Sequence, residues 1–354
     1  MSAVGSVAFT RRYWQCRCGH DGSYAADAIL GVEGERYTKT VQKHCCRLAA
    51  DTSFASTSSH LHEMLGVEVC PETVRTLVQR HGRAMACFQA QDTASEQAFQ
   101  KAQGEVEFST DAGKVNIREE GWKDLKMAVI AKRKAGTPCT PEQWQKQRLP
   151  AATMVLAFAM IATSAVFRRA WRPRLRRLGV RWGTSIHVLA DGAAWIWKAV
   201  QRVLSGCVQT LDFYHACQRL HRCAQRIFGE GSEATRTAYR HGRSLLLRQG
   251  WAGVCQWAGE LLSIEDESER ERRRSATERL LGYFAKHVGR LNYAERLRQG
   301  RAIGSGQVEG QAKTLGLRLK ARGARWKRRN VLAMASLVCV RHSCQWESYW
   351  TLAA

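Results

Sequence analysis

Apolar positions change their period along the chain. Between residues 51 and 82 they recur at helical spacing, with Phe54, Leu61 and Leu65 on one stripe and Val74, Leu77 and Val78 on the next. Gly66 breaks the first stripe and Pro71 stands where a first-turn proline is tolerated, so two short helices joined by a glycine turn are predicted. A helix-turn-helix and an ordinary helical hairpin share this pattern, and Cys70 occupies the cap position where Ser would be expected. Residues 83–103 read as a polar, alanine-rich helix or linker. From Glu105 the period drops to two: Val106 and Phe108 alternate with Glu107, Ser109 and Asp111, which predicts a strand ending on Asp111 and a turn at Gly113. Further strands are predicted at 125–132 and 154–160, either side of a Pro/Thr loop at 137–150. Residues 161–180 read as a basic helix broken at Pro173. A buried strand at 186–190 runs into a helix beginning at Gly192, and another strand spans 207–211. Beyond it, residues 216–300 are helical throughout, starting with the stripe Ala216, Leu220, Cys223 and Ile227, and an apolar helix at 331–340 closes the chain.

Three strands, a helix, a strand, a helix and a strand predict an α/β fold of RNase H-like order, with an all-α insertion in the core and a mainly helical amino-terminal region. The boundaries follow as 1–50, 51–103, 104–215 for the first part of the core, 216–300 for the insertion and 301–354 for the rest. In open α/β sheets, ligands gather at the carboxyl ends of strands. Asp111, Asp191 and Asp212 stand there, the last as Asp212-Phe-Tyr-His215. Asp191 could equally cap the helix that follows. Glu309 lies in a helix fed by Gly304-Ser305-Gly306. A cap at Ser305 leaves it outside the capping-box position, whereas a cap at Gly306 would place it there. Carboxylates that converge in such a core suit Mg²⁺, a hard cation that prefers oxygen. Two such ions about 4 Å apart serve phosphoryl transfer, one activating the nucleophile and the other stabilising the leaving oxygen.

Charge narrows the partner. The chain carries 55 Lys and Arg against 31 Asp and Glu, a net charge of +24, which favours a polyanion through phosphate neutralisation. Lys313, Arg318, Lys320, Arg322, Arg325, Lys327, Arg328 and Arg329 form a run without an acid, and Trp326 within it offers a stacking surface. The mixed charges at 265–274 fit a solvated helix face instead. Thirteen cysteines without a framework fit free thiols in a reducing cytosol. Cys16-Arg-Cys18-Gly-His20 resembles one zinc knuckle, although the nearest further candidates are His44, Cys45 and Cys46, and free structural thiols are the alternative. The most apolar run, 151–166, is too short to cross a bilayer, so a cytoplasmic, nucleoid-associated protein with no membrane partner is expected.

From about Arg12 to Trp350 the sequence resembles bacterial insertion-sequence transposases of the DDE type, in the Kra-type group related to mutator-like transposases. The resemblance rests on Thr110-Asp111-Ala-Gly-Lys-Val-Asn116 with Gly121-Trp-Lys-Asp-Leu-Lys126, on Leu189-Ala-Asp191-Gly-Ala-Ala-Trp-Ile-Trp197, on Leu211-Asp212-Phe-Tyr-His215-Ala216, and on Gly304-Ser-Gly-Gln-Val-Glu309-Gly310 with the basic stretch to Trp326. It implies a metal triad of Asp111, Asp191 and Glu309 holding two Mg²⁺ or Mn²⁺ ions, with Asp212 and His215 as auxiliaries. It also implies action on double-stranded DNA, both terminal inverted repeats and target, by a homo-oligomer assembled on DNA ends. Asp191 follows Asp111 by 80 residues, and Glu309 follows Asp191 by 118, as an inserted helical domain requires. The amino-terminal region departs from the family, with Cys-x-Cys in place of a fuller cysteine set, which bears on zinc binding and end recognition. Two other readings stay open at this point: a non-catalytic DNA-binding remnant of a transposase, and an RNase H-like nuclease selecting branched or hybrid structures.

Overall fold

The structure, a computed structural model, describes residues 1–2, 7–18, 22–30, 32, 34–180 and 186–352. Its centre is a five-stranded mixed sheet in the order β3-β2-β1-β4-β5. The strands are β1 (Glu105–Ile117), β2 (Gly121–Arg133), β3 (Met154–Ile161), β4 (Ile186–Ala190) and β5 (Val208–Leu211). The first three pair antiparallel, whereas β4 runs parallel to both β1 and β5.

Helices α1 (Ala25–Leu30), α2 (Lys39–Ala49), α3 (Phe54–Leu65), α4 (Pro71–Gln91) and α5 (Thr93–Lys101) precede the sheet. Between β3 and β4 lie α6 (Ser164–Arg169) and α7 (Trp171–Arg177), and α8 (Ala194–Val203) joins β4 to β5. After β5 come α9 (Phe213–Phe228), α10 (Glu233–Gln249), α11 (Trp251–Leu262), α12 (Glu267–Phe284) and α13 (Tyr293–Arg298). The chain then returns through α14 (Gly306–Leu319), α15 (Arg328–Arg341) and α16 (Trp346–Leu352).

Period-two alternation decides which side chains go to which side of the sheet. Val106, Phe108, Ala128 and Ile130 face a core shared with residues of α5 to α13. Val115, Leu125, Met127 and Val129 face a second core shared with α2, α3, α4, α14, α15 and α16. The sheet is therefore packed on both sides.

Three expectations need correction. β1 does not stop at Asp111 but continues to Ile117, because Gly113 keeps an extended pairing with Leu125 and the hairpin turns later, through Glu119 and Gly121 in left-handed conformation. Residues 83–103 are no linker: α4 runs to Gln91, and the Asp92 carboxylate accepts the Ser95 N–H at 3.0 Å to start α5. The helix at 161–180 breaks at Ala170, and Pro173 falls in the first turn of α7, where its missing N–H costs no hydrogen bond. The two helices around Gly66 form as expected, with that glycine left-handed at φ 61° and Pro71 opening α4. No described helix is long and apolar enough to cross a membrane.

Candidate active site

The site grows out of strand register. Ser109 pairs with Leu189 and Ala190 with Leu211, the last partners recorded for each parallel ladder. Continuing those offsets sets Asp111 beside Asp191 and Asp191 beside Asp212, on strands about 4.8 Å apart. Alternation turns all three away from the side of Phe108, Val188 and Leu211, toward the side on which α14 packs. Glu309 enters from α14.

Asp212 is fully buried and heavily engaged. Its Oδ1 accepts the His215 backbone N–H at 2.8 Å and lies 3.1 Å from His215 Nδ1, while its Oδ2 accepts the Ser305 hydroxyl at 2.9 Å and the Ser305 backbone N–H. Glu309 Oε1 accepts from the same Ser305 hydroxyl at 3.3 Å and sits 3.2 Å from His215 Nδ1. Ser305 was legible only as a possible helix cap, yet its hydroxyl bridges two carboxylates. Asp111 Oδ1 accepts the Ala112 N–H at 2.6 Å, and Asp191 Oδ1 accepts the Ala193 N–H at 3.0 Å. The cap of α8 is Ala193 rather than Asp191, and the cap of α14 is Ser305, so Glu309 falls one residue beyond the capping-box position. Neither acid is explained by helix capping.

Charge crowding shows in the proton affinities. Burial raises the Asp111 carboxyl above its ordinary value against the pull of the Ala112 N–H, and the nearby charges of Asp191 and Glu309 push it further while His215 opposes them. Burial also works on Asp212, but the hydrogen bonds from His215 and Ser305 outweigh it and hold that carboxyl low. The hydrogen bond to Asp212 lifts His215 to about 9, with Glu309 and Asp191 adding to the effect against desolvation. His215 is thus an imidazolium at neutral pH, a resident cation between carboxylates.

Two tyrosines shape the floor, Tyr214 from within the Asp212-to-His215 motif and Tyr283 from outside any motif. A Cβ on Gly192 would lie 2.0 Å from the Tyr283 hydroxyl oxygen, and one on Gly304 would lie 2.8 Å from the Tyr214 ring and 3.3 Å from Asp212 Oδ2. The glycines next to Asp191 and Ser305 are there for space. Tyr283 carried no signal in the sequence, being one aromatic among many on a helical stretch.

The donors fit a divalent cation. They are oxygens, they come from the middle of β1, from just past β4 and β5 and from a facing helix, and their mutual repulsion at Asp111 is what bound positive charge relieves. Among the described residues, the atoms already within mutual ligand distance, 4.8 Å, belong to Asp212, His215 and Glu309 rather than to the expected set of Asp111, Asp191 and Glu309. The reason is local: His215 and Ser305 hold the Glu309 carboxylate on the Asp212 side.

The basic run divides. Trp326 is not an open stacking surface, since it is 6% exposed and its indole N–H donates to the Leu319 carbonyl at 3.0 Å. Arg318 is 5% exposed and donates to the Ala49 carbonyl at 2.6 Å. Arg328 pairs with Glu120, an acid from the hairpin that linear sequence could not place beside it. Lys313, Lys320, Arg322, Arg325, Lys327 and Arg329 are exposed, and Arg328 is half-buried. Of the zinc-knuckle candidates, Cys16 and Cys18 are joined to each other in a disulfide, His20 lies outside the described residues, and burial pushes the Cys45 thiol up to about 12 in the apolar core. The disulfide also corrects the expectation of free thiols throughout; the other eleven cysteines are free. No protein-family model and no curated protein matches the chain.

Proposed function

We propose that this protein is a DNA transposase of the DDE type, cutting and joining phosphodiester bonds at the ends of an insertion sequence. The observation that carries the proposal is the pair of parallel ladders whose continuation sets Asp111 of β1 beside Asp191 and Asp212, one residue past β4 and β5, with Glu309 brought in from α14. The strand order β3-β2-β1-β4-β5, with the first three antiparallel and the last two parallel to β1, supports an RNase H-like core for that row. The helical segment from α9 to α13, inserted between Asp212 and Glu309, supports the insertion.

Asp111, Asp191 and Glu309 would hold Mg²⁺ or Mn²⁺. Two such ions would supply activation of water or a 3′-hydroxyl and stabilisation of the leaving oxygen. Asp212 fixes His215 in orientation through its ring and backbone N–H, and the imidazolium in turn restrains Glu309. A protonated ring beside the carboxylates also offers a donor to a non-bridging phosphate oxygen. Double-stranded DNA, as terminal inverted repeat and as target, is the substrate this reading names, with a homo-oligomer assembled on the ends.

The test is an excision assay with a marker between the coding region's own flanks and Mg²⁺ present. The wild type is expected to nick or excise, whereas Asp191→Ala is inactive but binds flank DNA equally well. Binding without cleavage by the wild type would favour a non-catalytic remnant. Cleavage set by branched structure, without end preference or joining, would favour a nuclease.

A further inference from the structure

Sharing no residue with the carboxylate site, a cleft of about 640 Å³ is lined by the start of α3, α4, the β1–β2 turn and the segment from the end of α14 into α15. Seven of its fifteen lining residues are Arg or Lys, and none is acidic. Arg75 is committed to Glu72 at 2.8 Å. The rest of the lining holds Arg118, Arg322, Arg325, Lys327 and Arg329 at exposed positions, around a deeper Arg318.

Arg318 is built in rather than left dangling. Its guanidinium carbon lies 4.7 Å from the Phe54 ring centre and 5.0 Å from that of Trp326, and its Nε holds the Ala49 carbonyl. Its Nη2, also buried, has no hydrogen-bond partner. A buried cationic donor left unpaired is costly, and apolar packing alone would be served by a neutral side chain. Burial accordingly lowers the Arg318 pKa to about 10. An anion entering the cleft would supply the missing acceptor to a side chain whose rotamer is already set by two rings. Guanidinium groups match phosphate oxygens in geometry as well as charge.

We propose that this cleft is a docking pocket for the backbone of duplex DNA, seating a phosphodiester over Arg318 while Arg322, Arg325 and Arg329 engage the phosphates that flank it. The choice of polyanion rests on the function proposed above, although the pocket shares no residue with the carboxylate site. A free phosphate would fill little of 640 Å³ and leave most of the rim charge unmatched, whereas a strand presents several phosphates in succession.

The experiment is fluorescence anisotropy of a labelled duplex of about 20 base pairs over a range of salt concentrations. Four full-length proteins are compared with wild type. One is Arg322→Ala/Arg325→Ala/Arg329→Ala. A control, Lys101→Ala/Arg202→Ala/Arg279→Ala, removes the same charge from exposed positions elsewhere. Arg318→Met keeps length without the guanidinium, and Asp191→Ala tests the separate catalytic reading. Each phosphate contact contributes about 0.9 to the log–log salt slope, so the rim variant should lose about 2.7, Arg318→Met about 0.9, and the control well under one. Should Arg318→Met unfold, as its melting curve would show, the rim variant alone decides. Equal losses in rim and control variants would overturn the pocket in favour of diffuse charge. An unchanged slope in the rim variant would overturn it too, and a rise in melting temperature with inorganic phosphate in the wild type but not in that variant would then mark a small-anion site. Asp191→Ala should bind as wild type does, so failure of catalysis and failure of the pocket are separately visible.

Discussion

His215 carries a pH dependence whose sign is fixed by its surroundings. Its pKa rises from the ordinary 6.5 to about 9, so the stability its charge contributes is fully present below about 6.5 and is lost as pH climbs through 9. Asp212 is held low, so its share is present above its ordinary 3.8 and fades only in acid. Urea unfolding of wild type and His215→Asn should therefore show a stability gap at pH 6 that narrows markedly by pH 9.5. An equal gap at both values would mean that the imidazole packs rather than pairs. Ser305→Ala removes the hydroxyl shared by Asp212 and Glu309, a supporting contact of the kind whose loss costs about 10- to 100-fold in activity or metal affinity. Metal-dependent cleavage should fall by that order with the fold intact, as read by circular dichroism. Unchanged cleavage would reduce Ser305 to a helix cap.

The turn from β4 into α8 shows how the acids are presented. Asp191 can close on Ala193 only because Gly192 leaves room for the Tyr283 hydroxyl from α12. Gly192→Ala should destabilise by about 1–3 kcal/mol, the range for overpacking. Tyr283→Ala in the same chain should recover part of that cost, a coupling expected only of residues in contact. Additive losses would place the strain elsewhere. The Asp-Gly pair at a strand end was legible in sequence, as were the succession of strands and helices along the chain, the glycine turn before α4 and the helices from α9 onward, because each has its own period or punctuation. Tyr283 and the Ser305 bridge were not, since both depend on contacts between segments remote in sequence. The same limit governs the basic run: linear spacing made Trp326 and Arg318 look like surface residues, and only the packing of α14 against Phe54 and Ala49 takes them inside. Asp111 was placed at a strand end although β1 continues past it, because a glycine that stays extended resembles one that turns.

At the scale of the molecule, the amino-terminal helices and the sheet are not separable units. Val41, Cys45, Cys46, Leu61, Val74, Val78 and Met85 from α2 to α4 share one core with Met127 and Val129 of the sheet and with Met334, Leu337 and Val338 of α15. The approach of α4 to α15 is close: a Cβ on Gly82 would meet the Ala333 carbonyl oxygen at 2.3 Å. A chain limited to residues 104–354 would keep α14 to α16 on that face of the sheet but leave in water the apolar surface of α15 on which α4 packs. It should behave as a compact state with fluctuating packing, binding a hydrophobic dye and melting without a sharp transition. Residues 51–103 alone should be mostly unfolded, since helices draw most of their stability from the face they bury. The consequence reaches the DNA. Phe54, Arg75 and Gln79 form one wall of the cationic cleft and the turn at 321–330 the other, so the cleft exists only while α3 and α4 are docked. Deleting residues 1–103 should accordingly weaken duplex binding by more than the charge it removes, measured against a full-length variant neutralised at the same number of cations. A 104–354 fragment that melts cooperatively and keeps wild-type affinity would make the helices a dispensable module and leave the exposed cations of residues 320–329 as the whole of the binding surface.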